Sequence, residues 1–214
     1  ELKTAMQKAG GGYVRLDADI DTASMNEGSG IGKANQIVVN SNVVLDLYGH
    51  KATLVKYNAE VYGLIDVRFG SLTIEDSKNG GELNGKNMTT EYRLYLIQCD
   101  DGAKVTVNSG KLSMWSANKA SNANAVIKGF GTVEINGGTL VSSREGDRDE
   151  RDFYLVNEEF AVDMSSGGSA VINGGTFDGR VLLFAHAKTA GKAGSVINGG
   201  DFKKSVYVRK DRTK

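Results

Sequence analysis

The sequence predicts an all-β fold, a right-handed parallel β-helix with a short N-terminal capping helix, and three observations predict it. A phrase of the form apolar-Asn-Gly-Gly recurs along the chain. Chain reversals rest on 28 Gly residues with no Pro at all. Hydrophobic residues make up 40% of the chain but aromatics only 7%, which suits thin stacked layers better than one thick core. A solenoid escapes the size limit on compact domains because each coil contacts only its neighbours, so residues 1–214 read as a single domain.

The repeat carries most of this prediction. Its copies are Val107-Asn108-Ser109-Gly110-Lys111-Leu112, Ile135-Asn136-Gly137-Gly138-Thr139-Leu140, Ile172-Asn173-Gly174-Gly175-Thr176-Phe177 and Ile197-Asn198-Gly199-Gly200-Asp201-Phe202. The central asparagines lie 28 (136 − 108), 37 (173 − 136) and 25 (198 − 173) residues apart. Each phrase reads as strand, tight bend, strand, with its apolar residues pointing inward. The asparagines stack about 4.8 Å apart, within reach of a hydrogen-bonded ladder. Degenerate copies at Val44–His50 and at Leu72–Asp76 with Gly81–Leu83 extend the pattern upstream. Phosphate-loop spacing is absent, so these glycines read as scaffold.

The two ends read differently from the middle. Leu2, Ala5, Met6 and Ala9 recur at helical spacing until Gly10-Gly11-Gly12 breaks the pattern, predicting a helix within residues 1–10 that covers the first coil. Ser205-Val206-Tyr207-Val208 predicts the last strand, followed by the basic residues Arg209, Lys210, Arg212 and Lys214. An unprotected last strand calls for a cover, and association with another chain is one way to provide it.

The longest interval between repeats holds a charged insertion, residues 142–160, with Arg144, Arg148 and Arg151 among many carboxylates. Insertions into solenoids project as loops and often carry binding, so these three arginines are candidate contact residues. Trp115 and Tyr154 join them as aromatic surfaces for stacking on sugar rings. For Tyr92, Tyr95, Trp115 and Tyr154 alike, packing between coils is the competing reading.

Three further constellations bear on chemistry. Asp17, Asp19 and Asp21 alternate as if on one strand face, but Thr22 and Gly28 break the calcium-loop pattern, and no metal site is expected. Stacking could bring Asp46 and Asp76, with Asp100 or Asp101, together as a glycosidase pair, but acidic residues at coil corners bind turn backbone, and that is the favoured reading. His50 and His186 read as structural. Cys99, the single cysteine, excludes an intrachain disulfide and reads as a buried small residue. No catalytic residue is assigned and no cofactor is implied.

The segment Gly11-Gly12-Tyr13-Val14-Arg15-Leu16-Asp17-Ala18-Asp19-Ile20, the phrase Val44-Leu45-Asp46-Leu47-Tyr48-Gly49-His50-Lys51-Ala52-Thr53-Leu54 and the repeated Ile-Asn-Gly-Gly turns resemble the pectin-lyase-like β-helix superfamily, particularly its divergent members on bacterial surfaces and in phage particles. The resemblance covers most of the chain. It implies an extracellular setting and a non-enzymatic structural or attachment role in a phage spike, fibre or capsid decoration. A bacterial adhesin is one alternative, and a secreted polysaccharide lyase or glycoside hydrolase another. The partners implied are other copies of the chain, other particle proteins and a cell-surface polysaccharide. The 26 basic and 26 acidic side chains cancel, which argues against nucleic acid as a partner, and no apolar stretch is long enough to cross a membrane as a helix.

Overall fold

The computed structural model describes residues 2–8, 10–21, 36–56, 63–88, 93–117, 124–144, 159–185 and 194–210, leaving the side chains of Lys56, Ala185 and Lys210 undescribed. These residues form a parallel β-helix. Three strands, one for each of three sheets, make up every coil, and each sheet holds seven parallel strands. In each sheet the neighbours are three strands apart in chain order, which is the signature of a wound chain rather than of hairpins.

The first sheet shows how the repeat becomes a core. Its strands include Asn42–Asp46, Ser71–Glu75, Lys104–Val107, Thr132–Ile135 and Ser169–Ile172. Their register stacks Leu45, Ile74, Val107, Ile135 and Ile172 in one column, and all five are fully buried. Burying an aliphatic side chain of this size contributes about 1.5–3 kcal/mol. The second sheet adds the column Ala52, Leu83, Leu112, Leu140 and Phe177, and the third adds Ile37, Ile65, Ile97, Ile127, Val162 and Val181. The columns continue through unequal repeat intervals, with a register shift between Phe160 and Val162 where the third-sheet strands Glu159–Asp163 and Arg180–Ala185 pair. The 37-residue interval carries its extra length between the second-sheet strand Thr139–Arg144 and the third-sheet strand Glu159–Asp163.

Glycine is required where coils approach most closely. A Cβ on Gly131 would lie 2.3 Å from the Asp100 carbonyl oxygen and 2.4 Å from that of Ala103. At Gly138 the backbone has φ +82°, and an added Cβ would meet the Gly110 carbonyl oxygen at 2.6 Å. The Asn-Gly-Gly phrase therefore serves the bend between the first and second sheets.

At the N-terminus the helix is shorter than the sequence suggests, Leu2–Met6. Met6 is fully buried and Leu2 packs on the core, whereas Ala5 is exposed, so among the described residues the i and i+4 pair Leu2 and Met6 forms the covering face, and Ala9 lies outside them. The helix lies against Gly12–Arg15 and Ile37–Val39, the first coil, as a cap does. The last strand is Val206–Lys210, which takes in Arg209 and Lys210 that were expected to lie beyond it. Its coil presents Val196, Ile197, Val206 and Val208 at 46, 41, 37 and 58% exposure. Ile197 continues the Ile172 column and Val206 the Val181 column, so both core columns reach the surface there.

Candidate functional site

The bend between the first and second sheets is built in two ways. In the C-terminal coils it carries an asparagine ladder: Asn136 Nδ2 donates to Asn108 Oδ1 at 3.0 Å, Asn173 to Asn136 at 2.8 Å, and Asn198 to Asn173 at 2.7 Å. In the N-terminal coils, carboxylates occupy the bend. Asp46 is fully buried and accepts from Tyr48 N, Ser77 N, Ser77 Oγ and Tyr13 Oη. Burial works to raise its pKa, but these hydrogen bonds outweigh it and hold the carboxyl at about 2. Asp76 accepts from Gly49 N and Gly81 N, both at 2.7 Å.

These bonds settle what the expected carboxylate pair does. Asp46 and Asp76 fasten turn backbone, and a proton taken or given at their oxygens would release it. Asp100 lies at a different bend, between the third and first sheets, where Gln98 Nε2 donates to its Oδ1 at 2.8 Å. Asp46 and Asp76 share one bend, where turn amides occupy their oxygens, and Asp100 does not join them there.

The Asp17, Asp19 and Asp21 alternation also falls apart. Asp17 and Asp19 sit between the strands Gly12–Arg15 and Ile20–Asp21 rather than on one strand. Asp17 binds Arg15, while Asp19 accepts from Lys51 N at 2.9 Å and lies 3.2 Å from His50 Nδ1. Among the described residues no three His, Cys, Asp or Glu side chains gather as a metal-binding group. Cys99 is buried, and burial pushes its thiol up to about 12, so it packs as an inert thiol.

Of the expected contact residues, two fall on neighbouring strands of the second sheet. Trp115 belongs to Lys111–Ser116 and Arg144 to Thr139–Arg144. Register pairs Trp115 with Ser143 on one side and Lys86 on the other, and sets Arg144 beside Ser116. Trp115, Lys86 and Arg144 are all half-buried, and they share this sheet with a polar patch. In that patch Glu82 takes Lys51 and Lys111 at 3.1 and 3.2 Å, and Ser113 Oγ at 2.7 Å. Burial favours its neutral form, but those three bonds prevail and keep the carboxyl below its ordinary range. Arg148, Arg151 and Tyr154 lie outside the described residues, as do Tyr92 and His186. Tyr95 is buried in a second apolar cluster with Ala125, Phe160 and Leu182, so packing, not sugar stacking, is its role.

Sequence reasoning missed the outer face of the third sheet. There Lys128 and Asp163 form a buried ion pair at 2.8 Å, and Lys128 Nζ also donates to Ser165 Oγ at 2.9 Å. Glu159, at the start of its strand, accepts from Ser142 Oγ at 3.1 Å. Burial pushes its carboxyl up to about 7, against the opposing pull of Ser142, Arg144, Asn124 and Lys204. A polar residue between two apolar ones recurs before the third bend, as in Ile97-Gln98-Cys99 and Ile127-Lys128-Gly129. That was the available signal.

No family model, curated protein or solved structure matches the chain.

Proposed function

We propose that the chain is a non-enzymatic structural or attachment module of an extracellular assembly, of the kind a β-helical spike, fibre or decoration provides in a phage particle. The observation that carries this reading is the surface of the last described coil. A helix covers the first coil, whereas the last described coil offers apolar side chains in line with the core columns and strand edges ready for another coil. Lys203, Lys204 and Arg209 are exposed on the same coil. Two copies meeting through this end would bring like charges together, while an acid-rimmed particle protein would be attracted.

Light scattering tests the reading. Association through the last coil is expected, with Val208→Asp reducing it. Salt then identifies the partner, because screening strengthens pairing between copies and weakens binding to an acid-rimmed protein. A chain that neither self-associates nor joins a particle, yet shortens a polysaccharide, would contradict the proposal.

A second contact, with cell-surface polysaccharide, is favoured by the placement of Trp115 between Lys86 and Ser143 with Arg144 on the adjacent strand. An aromatic face with flanking donors suits a sugar ring. Trp115→Ala is expected to abolish glycan retention without altering assembly, and unchanged retention would remove this contact from the proposal.

A further inference from the structure

On the outer face of the third sheet, register aligns Asp66, Gln98, Lys128 and Asp163 in one column. Lys128 is committed one coil further along, to Asp163 and Ser165, so its charge leans away from the first two members. Asp66 and the nearby Asp100 are left with Arg68, whose Nε donates to Asp66 Oδ2 at 2.8 Å. Gln98 turns its amide nitrogen to Asp100 Oδ1, which leaves its carbonyl oxygen as an acceptor in the same column.

One atom in this arrangement is unaccounted for. Among the described residues Asp66 Oδ1 is buried without a hydrogen-bond partner, in a residue only 4% exposed. A buried polar atom left unpaired loses its hydration without compensation, and loses more when it is charged. Burial chiefly, and the field of Asp100 in addition, disfavour the charged form of Asp66, while Arg68 only partly compensates. Two carboxylates face one guanidinium, so the cluster is short of positive charge as well as of a partner for Oδ1.

We propose that Asp66, Gln98 and Asp100 form a divalent-cation site that takes a partly hydrated ion of the magnesium class and ties two successive coils together. The protein ligands are Asp66 Oδ1, the Gln98 carbonyl oxygen and the second Asp100 oxygen. Water completes the shell on the side of Asp100, which is only half-buried. Few protein oxygens favour magnesium over calcium: magnesium retains several waters and is held by one or two carboxylates, whereas calcium collects about 6–8 oxygens. Calcium would find too few ligands here.

The test uses the metal-stripped chain with Mn2+ as a paramagnetic probe, followed by competition with Mg2+ and by thermal unfolding at constant ionic strength. Expected are loss of the free Mn2+ signal in proportion to protein, its recovery when Mg2+ is added, and a higher unfolding temperature with Mg2+. Asp66→Asn and Asp100→Asn should each weaken Mn2+ binding by about tenfold or more. Asp100→Asn changes a half-buried bend residue, so it keeps the test valid if Asp66→Asn fails to fold. An undiminished Mn2+ signal with the parent chain at Mn2+ on the order of 1 mM would overturn the proposal. Parent-like binding by both variants would overturn it too. So would Asp66→Asn stabilising the metal-free chain while the parent binds no Mn2+, because Oδ1 would then simply carry a proton.

Discussion

The bend between the first and second sheets is made of buried carboxylates in the early coils and of exposed asparagines in the later ones. Chemistry dictates what each version can do. A carboxylate only accepts, and carboxylates stacked at about 4.8 Å would repel, so each must draw its donors from other groups. Asp46 takes its donors from Tyr13, Tyr48 and Ser77, and Asp76 from Gly49 and Gly81. An asparagine both donates and accepts, so each one satisfies the next and the ladder has no inherent end. The early bend belongs to a closed, capped terminus. The later bend can be extended, and its last member, Asn198, sits on the coil whose apolar columns reach the surface.

Breaking the carboxylate bend should have the largest effect. Asp46→Ala strips the acceptor from two backbone amides and two hydroxyls in a buried setting, and is expected to cost about 3 kcal/mol in denaturant unfolding. A loss comparable to that of a surface substitution would show that the bend is held by packing alone.

The ladder should yield less, and in a graded way. Asn136 has a ladder bond on each side, whereas Asn198 has a bond on one side only. Asn136→Ala is expected to cost about 1 kcal/mol and Asn198→Ala about half of that. Equal losses would mean that the residues contribute as turn formers rather than as a ladder.

How much of this was legible follows from what repeats. The Ile-Asn-Gly-Gly phrases exposed the coil, the inward columns and the asparagine ladder, because those residues perform the same task in each of the later coils. The turn-binding role of Asp46 and Asp76 was legible, but their donors were not, since these come from residues as far off as Tyr13 and Gly81. Lys128 and Asp163 are 35 positions apart and meet only because adjacent coils fall in register. Asp66 escaped notice for the same reason, and Asp100 was read only with the carboxylates at the coil corners. Trp115 and Arg144 were read as separate candidates, and only strand pairing shows them on neighbouring strands, with Arg144 beside Ser116 rather than beside Trp115.

The smallest expected effects depend on pH, and they separate the early bend from the later coils. Glu159 titrates at about 7 in the fold against an ordinary 4.5, so the folded chain holds its proton more tightly. That stabilisation is complete below about pH 4.5 and declines as the pH rises through 7. Glu159→Gln should flatten this decline, as unfolding midpoints between pH 4.5 and 8 will show. Asp46 has the opposite sign. Its carboxyl lies at about 2 against an ordinary 3.8, so its contribution is present above 3.8 and lost as the pH falls through 2. Acid should therefore loosen the capped terminus in a range where Glu159 is already fully protonated.

Hydrogen exchange on the isolated chain, resolved coil by coil, tests the contrast between a closed and an open end most directly. The account predicts slow exchange at Tyr48, Ser77, Gly49 and Gly81, whose amides bind the two buried carboxylates, and the fastest exchange among third-sheet strands at Val206–Lys210. Equal protection at the two ends, or faster exchange at the carboxylate bend than in the last strand, would contradict it.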